Sequence, residues 1–314
     1  MVLVTGASGF IGRMLCVHLL SRGFSVRAAI RGNNPDNLIA GAEMFEVGDL
    51  GEEYDWSQAL SGVDMVVHLA ARVHQMKDVA PDPLAAYRSV NVSGTERLAR
   101  AAAANEVKRF VFLSSVKVNG EESPDAYRED DRPAPRDFYG ISKWEAEESL
   151  RSVSAGTGLE TVVIRSPLVY GPGVAANFLN LIRLVDKGIP LPLGSINNRR
   201  SFIYLGNLAD AIISCLEHPM AARRTFLVSD AQDLSTPELI ALIARALGKK
   251  PPLFPFPLPL LRFVCRTAGR RAEIERLAGS LCVESNGIRG ALGWKPPFTT
   301  EEGIRATVGW YRSL

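Results

Sequence analysis

The feature that most constrains this chain is its opening. Thr5-Gly6-Ala7-Ser8-Gly9-Phe10-Ile11-Gly12 follows the apolar run Val2–Thr5 and leads into the amphipathic stretch Ile11–Ser21. Glycines at this spacing, between a strand and a helix, suit a turn that wraps a dinucleotide. Gly6 can take a backbone conformation closed to residues with a Cβ, and Gly9 lets the chain approach a pyrophosphate. Gly12 lets helix and strand pack closely. The unpaired N–H groups at the helix start then face the phosphates. A glycine-rich turn without a ligand is the bland alternative, and the strand–turn–helix context weighs against it. Gly6, Gly9, Phe10, Ile11 and Gly12 are therefore the first candidate cofactor contacts.

Beyond this turn, short apolar runs alternate with helical patterns. Strands are expected at Val2–Thr5, Ser25–Ile30, Met44–Val47, Met65–Leu69, Arg109–Leu113 and Glu160–Arg165, with helices at Ile11–Ser21 and Ala85–Ala104. Strand runs joined by crossover helices imply right-handed βαβ units and an open, doubly wound parallel α/β sheet of the Rossmann type. After Pro167 the pattern loosens, with Pro and Gly at 167–173, 188–194 and 251–259. A capping box starts a helix at Ser235, with Glu238 three residues on. The expected division is a dinucleotide-binding domain over 1–166 and a smaller α/β substrate-binding region over 167–314, with part of 202–217 returning to the main sheet.

Composition narrows the class. The 314 residues are 46% hydrophobic and 22% charged, which is globular rather than disordered. A net charge of +2 gives no broad electrostatic case for nucleic acid or an anionic membrane. No apolar stretch approaches the ~20 residues of a spanning helix. The four cysteines are scattered and fit neither a zinc pattern nor a disulfide framework, so no metal is expected. With no signal-peptide pattern at Met1, the expectation is a cytoplasmic protein.

Other strand ends extend the candidate pocket. Asp49 and Leu50, in Gly48-Asp49-Leu50, place a carboxylate where it can accept a hydrogen bond from an adenine amino group. Leu69, Ala70 and Ala71 end the fourth strand, and their small side chains let a ligand lie against backbone; core packing is the competing reading. NAD binders usually carry an acid at the end of the second strand. Here that end holds Arg31, a multidentate cation suited to a 2′-phosphate, so the expected NAD(P)(H) cofactor leans to NADPH.

Tyr139 and Lys143 stand at i and i+4, on one face of a helix. A phenol titrates near ~10, and an ammonium one turn away brings it toward working range. Ser115, ending the fifth strand, stands where open α/β sheets place their ligands and can hold the reacting oxygen against the tyrosine.

With these residues together, the chain resembles extended short-chain dehydrogenase/reductases of the nucleotide-sugar epimerase/dehydratase type. The likeness runs through Thr5–Gly12, Gly48–Leu50, His68–Ala71, Asn91–Thr95, Ser114-Ser115, Tyr139–Lys143, Pro167–Pro172 and Leu292–Trp294. It implies NAD(P) in the N-terminal region, with Tyr139, Lys143 and Pro167 among its contacts. It implies a UDP-sugar beneath the C-terminal region, on Ser115, Lys117, Tyr139, Asn177 and Arg200, with Arg199 competing with Arg200. It implies hydride transfer at sugar C4, with Tyr139 as proton carrier, Lys143 as its tuner and Ser115 as the substrate hydrogen bond. A homodimer is likewise expected from the resemblance alone.

Departures from the family pattern narrow the reaction. Sugar 4,6-dehydratases follow the catalytic hydroxyl with Asp-Glu, whereas Val116-Lys117 stands here, so dehydration is not expected. Epimerases continue to Val-Tyr-Gly, whereas this chain has Val118-Asn119-Gly120. The segment is more similar to bacterial surface-polysaccharide enzymes that reduce 4-keto-6-deoxy-N-acetylhexosamine nucleotides. Reduction of such a UDP-sugar is the leading expectation, a UDP-hexose 4-epimerase the alternative, and a non-catalytic NAD(P)-sensing regulator a distant third. His68 and His74 lack metal-ligand partners at useful spacing, and the sequon Asn91-Val92-Ser93 falls in an expected helix. The apolar and arginine-rich stretch 251–271 reads as a substrate flap or an oligomer contact rather than a membrane-surface segment.

Overall fold

The computed structural model describes the chain except residues 33–37, 74–79, 124 and 270. Strands β1 (Val2–Thr5), β2 (Val26–Ile30), β3 (Glu43–Glu46), β4 (Met65–His68), β5 (Arg109–Ser115) and β6 (Glu160–Ser166) fall within two residues of their expected ends. They belong to a seven-stranded parallel sheet in the order β3-β2-β1-β4-β5-β6-β9, where β9 is Arg224–Leu227. Strand order reverses between β1 and β4, which opens a crevice at their C-terminal ends. The remaining strands, β7 (Leu168–Tyr170) and β8 (Phe202–Tyr204), pair with each other in a separate two-stranded sheet. So the strand that closes the main sheet is Arg224–Leu227, and not part of 202–217.

In chain order the helices are α1 (Phe10–Ser21), α2 (Ser57–Leu60), α3 (Pro83–Tyr87), α4 (Gly94–Ala104), α5 (Phe138–Gly156), α6 (Ala176–Asp186) and α7 (Leu205–Glu217). There follow α8 (Thr236–Ala246), α9 (Leu258–Thr267), α10 (Arg271–Ala278), α11 (Asn286–Leu292) and α12 (Thr300–Arg312). A π-helical turn, Arg88–Ser93, joins α3 to α4, so the expected helix over 85–104 is continuous but carries a change of register inside it.

Each sheet face has its own apolar layer, as a buried parallel sheet requires. Val2 and Val4 of β1 point to one side, with Leu15 and Leu19 of α1 and Leu208, Ile212 and Cys215 of α7. Leu3 points to the other, with Leu98 and Ala102 of α4 and Ala146 and Leu150 of α5. Segment 202–217 thus contributes a covering helix to the main sheet. A third cluster gathers Phe178 and Ile182 of α6, Ile240 and Ile243 of α8, and Ile304 and Val308 of α12. Helix α8 begins with the expected Ser235–Glu238 capping box.

Candidate active site

Strand register brings the candidate residues to one edge. Thr5 pairs with Ala29 and His68, His68 with Phe112, and Ser115 with Ser166. The segments that follow therefore leave the sheet side by side: the glycine turn, Arg31, Leu69–Ala71, Ser115 and Pro167. At the turn, Gly6 has φ +68°, and a Cβ there would lie 2.8 Å from Ala70 N. A Cβ on Gly12 would lie 2.2 Å from Gly6 O. Gly9 N–H donates to Gly6 O at 3.0 Å, and Gly9 caps α1 without any side-chain hydrogen bond. The α1 N-terminus thus keeps backbone donors for a phosphate. Phe10 reaches the C-terminal cluster and lies against Gly173.

Asp49 Oδ1 accepts the Gly51 N–H at 2.7 Å, and Arg31 Nη1 donates to Asp49 Oδ2 at 2.8 Å. The Gly51 N–H, and secondarily Arg31, hold the Asp49 carboxyl below its ordinary range. The Arg31 side chain is 74% exposed, beside the second strand's end. Leu50 is buried, and its carbonyl accepts Arg97 Nη2 at 2.6 Å.

Asp137 caps helix α5, its Oδ1 accepting the Gly140 N–H at 2.7 Å. Tyr139 lies in the first turn, with the Tyr87 ring edge-on at 6.4 Å. One turn on, Lys143 is 2% exposed, and its Nζ donates to Leu113 O at 2.8 Å. Nζ stands 4.3 Å from the Phe112 ring centre and 6.0 Å from that of Tyr139. Burial pulls the Lys143 ammonium down to about 7, against the opposing pull of Glu147. Burial, then Asp137 and Tyr87, pushes the Tyr139 phenol above its ordinary range. Lys143 is expected to bring the phenol down; in the structure burial, Asp137 and Tyr87 all push it up, and Lys143 is not among the causes.

Ser115 ends β5, and its Oγ accepts the Lys117 N–H at 3.2 Å. Lys117 Nζ donates to Asp137 Oδ2 and lies 3.5 Å from Glu121 Oε1. A Cβ on Gly140 would lie 2.9 Å from Lys117 O, so the first turn of α5 abuts the Ser115–Lys117 bend.

Behind these residues is a network the sequence reading did not anticipate. Arg165 and Glu147 pair in the interior, Nη2 to Oε2 at 2.7 Å, and Ser114 Oγ donates to Glu147 Oε1. Arg165 Nη1 donates to Asn119 Oδ1 at 3.1 Å, and Asn119 is 1% exposed. The departure at Val118-Asn119-Gly120 therefore has a structural partner in Arg165. The signal available in the sequence was an arginine ending an apolar strand and a glutamate four residues after Lys143.

The C-terminal candidates are more dispersed. Asn177 is exposed in the first turn of α6. Arg200 Nη1 donates to Arg276 O at 2.8 Å and Gly279 O at 3.0 Å, and burial lowers its ordinary affinity for a proton. Arg199 pairs with Asp233 at 2.9 Å and is 76% exposed. Among the described residues no cluster of three His, Cys, Asp or Glu could hold a metal, and no helix is long and apolar enough to cross a membrane. His74 lies outside the described residues. Asn91 of the sequon is buried.

Residues 2–228 match the family model described as NAD dependent epimerase/dehydratase family. The chain is 43% identical over 313 residues to a UDP-glucose 4-epimerase of Vibrio cholerae, covering 98% of this chain and 94% of the relative. It is 30% identical over 328 residues to the N-acetyl-alpha-D-glucosaminyl-diphospho-ditrans,octacis-undecaprenol 4-epimerase of Escherichia coli O157:H7, covering 98% and 94%. Among solved structures, MoeE5 in complex with UDP-glucose and NAD superposes with a TM-score of 0.78 at 26% identity, over 99% of this chain and 98% of that one.

Proposed function

The chain belongs to the NAD dependent epimerase/dehydratase family, and within it we propose that it reduces the C4 keto group of a UDP-linked 6-deoxy-N-acetylhexosamine, a step in building surface polysaccharide. The observation that carries hydride chemistry at C4 without elimination is the bend after Ser115. Where a dehydratase places an acid pair, this chain places Lys117, held on Asp137. The residue that replaces the epimerases' tyrosine, Asn119, is held inside by Arg165.

Gly6, Gly9, Gly12, Phe10 and Ile11 would hold the dinucleotide's phosphates on the bare N-terminus of α1. Asp49 and Leu50 would take the adenine, with Leu69–Ala71 and Pro167 beside the rest of the cofactor. When bound, the nicotinamide supplies the hydride. Ser115 Oγ would hydrogen-bond the sugar O4, and Tyr139 Oη would give O4 its proton as C4 is reduced, leaving a hydroxyl on the sugar and a phenolate that solvent would reprotonate. Lys143, anchored on Leu113 O, would stand one turn from the phenol and, in its ammonium form, would steady the phenolate and hydrogen-bond the cofactor's ribose. Holding these groups in one geometry makes the encounter intramolecular. Residues 167–314, with Asn177, Arg200 or Arg199, and Lys117, would take the UDP-sugar. Arg31 makes NADPH the first cofactor to test.

A second reading is favoured by one specific observation, the 43% identity to the Vibrio cholerae epimerase. With an oxidised nicotinamide as hydride acceptor, the same Ser115, Tyr139 and Lys143 would hold the O4 hydroxyl and take its proton as C4 is oxidised, let the keto-sugar turn, and return the proton as hydride comes back to the other face. One experiment separates the two: follow nicotinamide absorbance with a UDP-4-keto-6-deoxy-N-acetylhexosamine and NADPH or NADH. Stoichiometric loss of reduced cofactor supports the reductase. Interconversion of UDP-glucose and UDP-galactose, or of their N-acetyl forms, without net redox change would replace it with the epimerase.

A further inference from the structure

His68 ends β4, fully buried, and has no part in the proton chemistry above, yet both its ring nitrogens are engaged. Nδ1 lies 2.6 Å from Thr5 Oγ1, and Nε2 lies 3.0 Å from Thr95 Oγ1. The neighbours fix which nitrogen carries hydrogen. Thr95 Oγ1 is 2.6 Å from Asn91 O, a separation two oxygens reach only with the hydroxyl hydrogen between them. With its one hydrogen given to Asn91, Thr95 must accept from His68 Nε2–H. Nδ1 of the neutral ring is then bare and accepts from Thr5 Oγ1–H. Burial, with the Lys143 charge nearby, keeps the ring neutral, its pKa down at about 3.

Both ends of this chain of bonds lead to the site. Thr5 Oγ1 accepts the Ala70 N–H at 3.3 Å, and Ala70 N is the atom that leaves no room for a side chain at Gly6. On the other side, Asn91 Nδ2 donates to Ser142 Oγ at 2.9 Å, and Ser142 Oγ donates to Tyr139 O at 2.8 Å. Asn91 is itself oriented by Arg72, whose N–H it accepts at 2.8 Å and whose carbonyl it meets at 3.0 Å. The π-helical turn at Arg88–Ser93 is what presents Asn91 to α5.

We infer that His68, as its Nε2–H tautomer, is a positioning residue that sets the glycine-rich turn and the first turn of α5 at a fixed separation, through Thr5 and Ala70 on one side and Thr95, Asn91 and Ser142 on the other. It rests on the reading above that the cofactor lies on that turn and that Tyr139 is the proton donor. The ring's packing serves the same end: it stacks on Phe112 at 5.7 Å, and Lys143 Nζ stands 4.3 Å from the centre of that same Phe112 ring.

Two measurements test this on the intact protein. The first is the imidazole ¹⁵N NMR pattern, with His68 assigned by difference from His68→Gln. Nε2–H with a bare Nδ1 is expected; Nδ1–H or an imidazolium overturns the inference. The second uses the near-isosteric variants Thr5→Val and Thr95→Val. Thr5→Val is expected to weaken NADPH or NADH binding about tenfold with a smaller change in kcat. Thr95→Val is expected to lower kcat about tenfold with cofactor Kd within threefold, and to enlarge the isotope effect from cofactor deuterated at nicotinamide C4. In the double variant the losses should fall short of their product, since both act through one ring. His68→Gln, which keeps an amide donor toward Thr95, should retain more turnover than His68→Leu. A lower Tm with kcat and cofactor Kd both within twofold of wild type in both Thr variants overturns the inference. If the wild type turns over neither sugar, the proposed function fails, while the tautomer and the Thr5→Val cofactor affinity still decide this point.

Discussion

Arg165 and Glu147 form an ion pair sealed in the interior, with side chains 3% and 0% exposed, directly behind Ser114. A buried pair gains little over apolar packing, but breaking one is costly because the surviving charge has no solvent. Glu147→Gln should therefore lower stability by about 3–5 kcal/mol in urea denaturation. The double variant Glu147→Leu/Arg165→Met should recover a large part of that loss. A Glu147→Gln protein as stable as wild type would mean that water or Asn119 satisfies Arg165 instead.

Tyr139 and its cap make a second prediction. Asp137 raises the phenol's pKa through its charge, and asparagine caps a helix as well as aspartate does. Asp137→Asn should therefore shift the alkaline limb of kcat/KM to lower pH, because a proton-donating tyrosine is lost earlier, with Tm little changed. Tyr139→Phe is the control: cofactor binding intact, turnover down at least ~100-fold.

Lys143 carries a cost in stability that runs opposite to a salt bridge. Its folded pKa lies below its unfolded one, about 7 against 10.5, so the unfolded chain binds more protons across that window. Stability thus rises with pH from 7 toward 10.5, and the cost of burial is fully present below 7. Lys143→Met should be more stable than wild type at pH 6, by on the order of a few kcal/mol less the lost Leu113 bond, with the gain shrinking by pH 10. Urea denaturation at the two pH values reads this directly. The same variant should lack turnover.

Arg31 decides the cofactor question. Arg31→Ser removes the guanidinium that suits a 2′-phosphate, and should reduce the NADPH-to-NADH ratio of kcat/KM at least tenfold. An unchanged ratio would assign Arg31 to its partner Asp49 alone.

The sheet was legible because buried parallel strands are near-continuous apolar runs, as in Val2–Val4 and Val162–Ile164. Arg224–Leu227 escaped notice because its first two residues are polar and exposed or half-exposed, and it returns to β6 after a long excursion. The π-helical turn was invisible for another reason: apolar spacing reports a helical face and not a one-residue change of hydrogen-bond register. Ser115, Tyr139 and Lys143 stood out by local spacing. Glu147, Arg165 and Asn119 did not, since charged and amide side chains read as surface until the fold supplies their partners. His68 drew attention only as a failed metal ligand, because Thr5 and Thr95 reach it from distant parts of the chain.

Helix α1 covers the β1–β2 side of one sheet face, but the β5–β6 side of that face, with Val111, Leu113 and Ile164, is covered by α7, made of residues 205–217. A ribosome therefore releases β5 about ninety residues before the helix that covers it begins. Until then that side of the face lacks its helix in every nascent copy. Nascent chains shorter than about 217 residues are thus the ones exposed to aggregation, and the natural clients of a chaperone that binds greasy surfaces.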